Sequence, residues 1–171
     1  MVRLRGVAPV ASWAMGVTSI GWREWVSLPL LGVGATKAKI DSGARSSTLH
    51  AWDIEIVEGT RGPRVRFVLH PQQRDTTITV EAEAPLLAVR SVRSSNGALE
   101  SRPVIRTPVV VGDRRFRIEL TLTRRDEMGF RMLLGRQAVG RRFVIDPARS
   151  FLCGGSTVAP SSQVDLDAAT V

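Results

Sequence analysis

The chain has 171 residues, 43% of them hydrophobic and 23% charged, which suits a single domain with a sizeable apolar core and excludes a fibrous or low-complexity protein. The net charge is +8, and because Lys37 and Lys39 are the only lysines, arginine supplies almost all of the positive charge. An arginine-rich genome accounts for that balance as well as a functional preference for acidic partners does, guanidinium being the cation that pairs bidentately with carboxylates and phosphates.

Residues 1–19 begin basic and apolar, but Pro9, Ser12 and Gly16 interrupt the run. They read as a flexible N-terminal extension rather than a secretory signal, and no stretch of the sequence has the length of a membrane span. Residues 20–31 mix Trp22, Trp25 and Val26 with polar partners and predict one strand ending near Pro29. Gly32-Val33-Gly34 then reads as a turn, and residues 35–40 as a strand that delivers Asp41.

Further on, residues 65–70 alternate as a strand closed by Pro71, with residues 72–75 as a hairpin tip and 76–82 as the next strand. Residues 86–92 predict another short strand, followed by the strong turn signal Ser94-Ser95-Asn96-Gly97. Residues 102–111 are strand-like, yet Pro103 and Pro108 predict an edge strand or a break. Residues 116–123 carry the cleanest alternation in the chain, and 130–135 form a short buried run. Residues 136–142 offer the one helical turn, and Val144-Ile145-Asp146-Pro147 ends the last element. Cys153, the single cysteine, excludes an internal disulfide, fits a reducing cytoplasmic compartment, and reads as an inert thiol because no base neighbours it. Residues 154–171 are rich in Ser, Ala, Thr and Asp without periodicity and predict a disordered tail. Short strands punctuated by turns, with almost no helix, predict an all-β barrel.

The chemistry concentrates in Ala38-Lys39-Ile40-Asp41-Ser42-Gly43-Ala44. A carboxylate stands at the mouth of a tight turn after a strand. Gly43 offers backbone freedom and close approach, and Ser42 a hydroxyl to lock the turn. By itself Asp41 fits a turn-stabilising Asx cap as well as a catalyst. Much further along the chain comes Met132-Leu133-Leu134-Gly135-Arg136, leading into the helical turn.

An Asp-Ser-Gly-Ala loop followed by a hydrophobic-hydrophobic-Gly-Arg segment resembles the retroviral-type aspartic peptidases. Gly21-Trp22-Arg23-Glu24, Leu28-Pro29, the run from Ala38 to Ala51, Val92-Arg93-Ser94-Ser95-Asn96-Gly97, Arg102-Pro103-Val104-Ile105, and Asp146 to Leu152 narrow the likeness. Together they are similar to a bacterial family commonly labelled ATP-dependent zinc protease, a retropepsin-like group, over residues 20–153. The resemblance implies a closed retropepsin-like β-barrel with one short helix near the C-terminus, and an aspartic-type peptidase or amide hydrolase.

It also implies that two aspartates share one proton, with a water activated by the ionised one. One chain carries one such loop, so Asp41 would meet its mate across a homodimer, with Ser42 and Gly43 completing the catalytic loop. Leu134, Gly135 and Arg136 would support that loop from below, and His50 reads as a structural histidine. Ala44 and Arg45 would face substrate; Arg45 either holds a substrate carboxylate or pairs with an internal acid such as Glu24. The hairpin equivalent to a flap carries Arg93, Ser95, Asn96 and Arg102, with Arg90 and Arg106 on its arms, and would recognise an acidic or poly-glutamate chain. Proteins of the family are similar to partners of ATP-grasp glutamate ligases. Despite the label, two histidines and one cysteine without a His-Glu-x-x-His pattern, and no Gly-Lys-Ser/Thr loop, predict neither zinc nor ATP as cofactor. The charge prompts nucleic-acid binding, but with no Tyr and few other aromatics to stack bases, that partner is not expected. A non-catalytic module that binds acidic peptide tails is the alternative to a hydrolase.

Overall fold

A computed structural model describes residues 17–93, 97, 99–124 and 129–154; the predicted extension up to residue 16, Ser95, Asn96 and the tail from 155 onward lie outside the described residues. In chain order the elements are β1 (Thr18–Gly21), β2 (Arg23–Leu28), a 3-10 turn (Pro29–Leu31), β3 (Val33–Asp41), β4 (Ser47–His50), β5 (Trp52–Val57), β6 (Arg64–Leu69), β7 (Val80–Arg93), β8 (Leu99–Val111), β9 (Arg114–Thr123), β10 (Met132–Gly135), α1 (Arg136–Val139) and β11 (Phe143–Asp146). The neighbour order β2-β3-β10-β4-β9-β8 closes on itself through a β2–β8 pairing, giving a barrel of six strands. From β8 the sheet runs on through β7, β6 and β5 as an antiparallel meander. The all-β retropepsin-like architecture expected from the sequence is the architecture found.

The inward residues of the barrel, among them Leu28, Val33, Leu49, Ile105, Leu120, Leu122, Met132 and Leu134, are almost wholly excluded from solvent. Removing each such side chain from water is worth about 1.5–3 kcal/mol, which is what closes the barrel around them. The two ends of the domain are tied together separately. β1 and β11 pair in parallel, Trp22 N–H donates to Arg149 O at 2.9 Å, and Phe151 N–H donates to Arg23 O at 2.9 Å.

Several boundaries differ from the sequence expectation. The single strand expected over residues 20–31 is two, interrupted at Trp22, followed by the 3-10 turn that Pro29 opens and left-handed Gly32 (φ 70°) ends. Residues 76–79 are not strand; the pattern that continues through Leu86 belongs to one long β7, whose irregularity between Leu86 and Ala88 splits the apparent alternation in two. β8 is central rather than an edge, and its prolines explain how. Pro103 lies where β8 pairs only with β7, before pairing with β9 begins at Val104. Pro108 lies where β8 pairs only with β9, after β7 has ended and before β2 joins at Val110. Each proline sits where its missing N–H faces a side with no partner strand, so the strand is locally an edge at both.

Candidate active site

Asp41 is the last residue of β3, and its position is set by β10. That short strand inserts between β3, to which it runs parallel, and β4, to which it runs antiparallel, so Gly135 lies directly beside Asp41. Gly135 has no room for a side chain: a Cβ there would stand 2.5 Å from the carbonyl carbon and oxygen of Ser46. The loop of residues 42–46 therefore rests on bare backbone.

Around the turn the hydrogen bonds are specific. Gly43 N–H and Ala44 N–H donate to Asp41 Oδ1 at 3.1 and 3.0 Å, and among the described residues nothing donates to Oδ2. Arg136 N–H donates to Ala44 O at 2.9 Å, Gln137 N–H to Arg45 O at 3.1 Å, and the Arg136 guanidinium reaches Gly43 O at 3.4 Å. Gly135 N–H donates to Ser47 Oγ at 3.1 Å. Asp41 is half-buried while Ser42 and Gly43 are exposed, so the carboxylate is anchored by one oxygen at an open mouth. A carboxylate held in this way can accept a proton, share one with a second acid, or activate a water.

The sequence-predicted residues fall into distinct groups. Asp41, Ala44, Gly135 and Arg136 are brought together in one bonded unit, with Leu134 buried in the core beneath it. Gly43 contributes its N–H but not a left-handed backbone, since its φ lies outside that region; a Cβ there would press on Asp41 Oδ1 at 3.3 Å. Ser42 makes no hydrogen bond to a described residue, so the turn is locked by Asp41's own carboxylate rather than by the serine hydroxyl. Arg45 is exposed and forms no ion pair with a described carboxylate. Pairing with Glu24 is ruled out, because Glu24 is 0% exposed and its oxygens take the N–H groups of Gly21, Leu152 and Cys153 at 2.7, 2.7 and 3.3 Å.

On the hairpin, Arg93 is exposed and donates to Gly97 O at 3.2 Å. Arg102 is 5% exposed and its guanidinium is engaged by Glu100 Oε2 at 2.7 and 3.0 Å, beside a cleft of about 640 Å³ that Ile54, Pro103 and Leu122 also line. His50 is buried, with its ring stacked on Trp52 at 3.9 Å and its backbone N–H donating to Arg131 O at 2.8 Å. Burial, together with the negative charges of Glu24 and Asp113, pushes the Cys153 thiol up to about 11, so it stays protonated and unreactive near neutral pH. Ser47 and Gln137 were not expected to take part. The hydroxyl run Ser46-Ser47-Thr48 was the available signal, but only the threading of β10 says which hydroxyl meets Gly135.

With that geometry in place, comparison with known proteins is decisive. The family described as "RimB-like: Retropepsin-like aspartic endopeptidase RimB" matches residues 19–154. The chain belongs to this family. Zinc and ATP, carried by the label of the sequence resemblance, find no support: the matched description is that of an aspartic endopeptidase. The residues do not fit a zinc ion either, as His50 and His70 both pack on Trp52 and no three His, Cys, Asp or Glu side chains converge among the described residues. A protein of Shewanella halifaxensis named "Probable alpha-L-glutamate ligase" is 44% identical over 79% of this chain, and one of the same name from Parasynechococcus marenigrum is 45% identical over 79%. The chain spans only 30% and 29% of their lengths. A crystal structure of Lpg0085, a Legionella pneumophila protein of unknown function, superposes with a TM-score of 0.68 at 27% identity, covering 80% of this chain and 98% of that one.

Proposed function

We propose that this member of the family is an aspartic-type amide hydrolase that cleaves acidic, glutamate-rich peptide chains with a pair of Asp41 carboxylates contributed by two copies of the chain. The observation that carries the reading is the unequal treatment of the Asp41 oxygens. Oδ1 is tied down by two loop N–H groups, and Oδ2 is left to face substrate and a second acid. When two such carboxyls approach, one proton is shared because both cannot ionise at close range. The ionised member takes a proton from a bound water as that water attacks the amide carbon, and the protonated member donates to the carbonyl oxygen. Ser42 and Gly43, exposed on the loop, meet the mate loop, and Arg45 holds a carboxylate of the substrate.

The glutamate-rich substrate is supported by the net charge of +8 and by the relatives' name, which makes a glutamate ligase the natural functional neighbour. Asp41→Asn is expected to abolish hydrolysis of oligo-glutamate and acidic peptides while leaving the circular dichroism spectrum unchanged. Retained hydrolysis in that variant, or activity lost to a chelator and restored by zinc, would overturn the reading. The relatives' ligase name also favours a second possibility, a module that binds acidic tails without cutting them. Binding of oligo-glutamate with no release of glutamate or shorter peptides separates the two.

A further inference from the structure

The outer face of β8 and β9 carries an arginine stripe that the catalytic loop does not use. Strand alternation puts Arg115, Arg117 and Glu119 on one face of β9. In register across from them on β8 stand Val110 opposite Arg115, Pro108 opposite Arg117 and Arg106 opposite Glu119. Glu119 is already occupied: Arg90 of β7 donates to it at 2.7 Å and Arg106 at 3.1 Å. Arg115 and Arg117 are exposed and pair with no described carboxylate. Two of the four arginines thus share the one acid, and the other two keep their charge uncompensated among the described residues. Arg106, Arg117 and Glu119 of the stripe also line a concavity of about 400 Å³, together with Ser47, Gln137 and Ala138. Ser47 and Gln137 are the residues that brace the Asp41 loop, so the concavity adjoins the active site.

We propose that this stripe is an exosite that binds an extended, carboxylate-rich peptide segment outside the catalytic mouth. Side chains on one side of an extended chain recur about every 6.8 Å, the same repeat that separates Arg115 from Arg117 along β9, so alternate carboxylates of a bound strand meet successive guanidiniums. The face offers no aromatic ring among Arg106, Pro108, Arg115, Arg117 and Glu119, which favours a peptide over a nucleic acid that would need stacking. Each exposed pair contributes little alone, so binding draws on several at once and weakens steeply with salt. Only the identity of the ligand rests on the proposed substrate; the site itself is separate from Asp41.

The test uses the full chain carrying Asp41→Asn, so that nothing is cleaved, and a fluorescein-labelled oligo-L-glutamate read by anisotropy. Adding Arg115→Glu and Arg117→Glu is expected to weaken binding at least ~10-fold, and Glu119→Gln, which releases Arg90 and Arg106, to tighten it roughly 3-fold. Lysine at both arginine positions should keep most of the affinity, which separates charge from a folding defect. Unchanged binding in the charge-reversed protein, weaker binding in Glu119→Gln, or tighter binding of an oligo-uridine RNA than of oligo-glutamate would each overturn the exosite. If the charge-reversed protein binds normally while Asp41→Asn alone stops hydrolysis, the exosite fails and catalysis stands. If binding is lost but the wild-type chain never hydrolyses, catalysis fails and the exosite stands.

Discussion

Two acids on adjacent strands show how burial decides what a carboxylate does. Glu24 of β2 is 0% exposed, and its oxygens are taken by backbone N–H groups from Gly21 and from Leu152 and Cys153 at the far end of the domain. Asp41 of β3 sits half-buried at a mouth with one oxygen in use. The first is a staple and the second is available for chemistry. Glu24→Gln keeps the shape of the side chain but turns an amide N–H₂ toward donors that need an acceptor. A loss of about 2–4 kcal/mol in urea unfolding is expected, with Asp41-dependent chemistry intact in the fraction that folds. A change under about 0.5 kcal/mol would show that the staple is not formed. In the sequence both residues follow aromatic or β-branched neighbours in similar strands. The Ser42-Gly43 turn marks Asp41 locally, but nothing local marks Glu24 as a staple, because two of its partners arrive from the far end of the chain.

At the scale of elements, the site depends on β10 threading between β3 and β4, and on the glycine that ends it. The Gly135 Cα faces the Ser46 carbonyl so closely that Gly135→Ala must push rigid backbone aside. Overpacking of that kind costs about 1–3 kcal/mol. Because the displaced segment is the loop proposed to carry catalysis, hydrolysis is expected to fall further than stability does; equal kcat for Gly135→Ala and wild type would contradict that. The loop motif, Gly135-Arg136 and the strand entering Asp41 could be read from sequence. So could β9, whose alternation is set by one buried and one solvated face. β4 went unread because the hydroxyl-rich run Ser46-Ser47-Thr48 has little apolar periodicity, whereas β5 was missed although Trp52, Ile54 and Ile56 alternate with Asp53 and Glu55. β8 was read as a strand with its neighbours misjudged, since the two prolines are tolerated only where pairing changes sides.

For the whole molecule, charge governs the response to pH. Hydrogen bonds from Arg90 and then Arg106 hold the Glu119 carboxyl below its usual value, a bond from Arg64 does the same for Glu83, and one from Arg149 for Asp146. All three shifts are downward. Their stabilisation is present above the unfolded carboxylate values of about 3.9–4.3 and is lost as pH falls through the lower folded values. Protonation also unmasks the repulsion already implied by a charge of +8. The melting temperature is therefore expected to hold near neutrality and to drop steadily below about pH 4, less so at high salt. A flat profile from pH 6 to pH 3 would show that these pairs contribute nothing.

By itself, the sequence determined the all-β class and the acid-bearing turn at Asp41, because strand alternation and turn chemistry are local properties of neighbouring residues; the segment that supports the turn was implied by the family resemblance. The tertiary structure alone decided which oxygen of Asp41 stays open, that Glu24 closes the ends of the domain, and that Arg106, Arg115 and Arg117 share a face around one carboxylate. Those facts depend on strand order and register, which residues distant in the chain settle together only when the barrel closes.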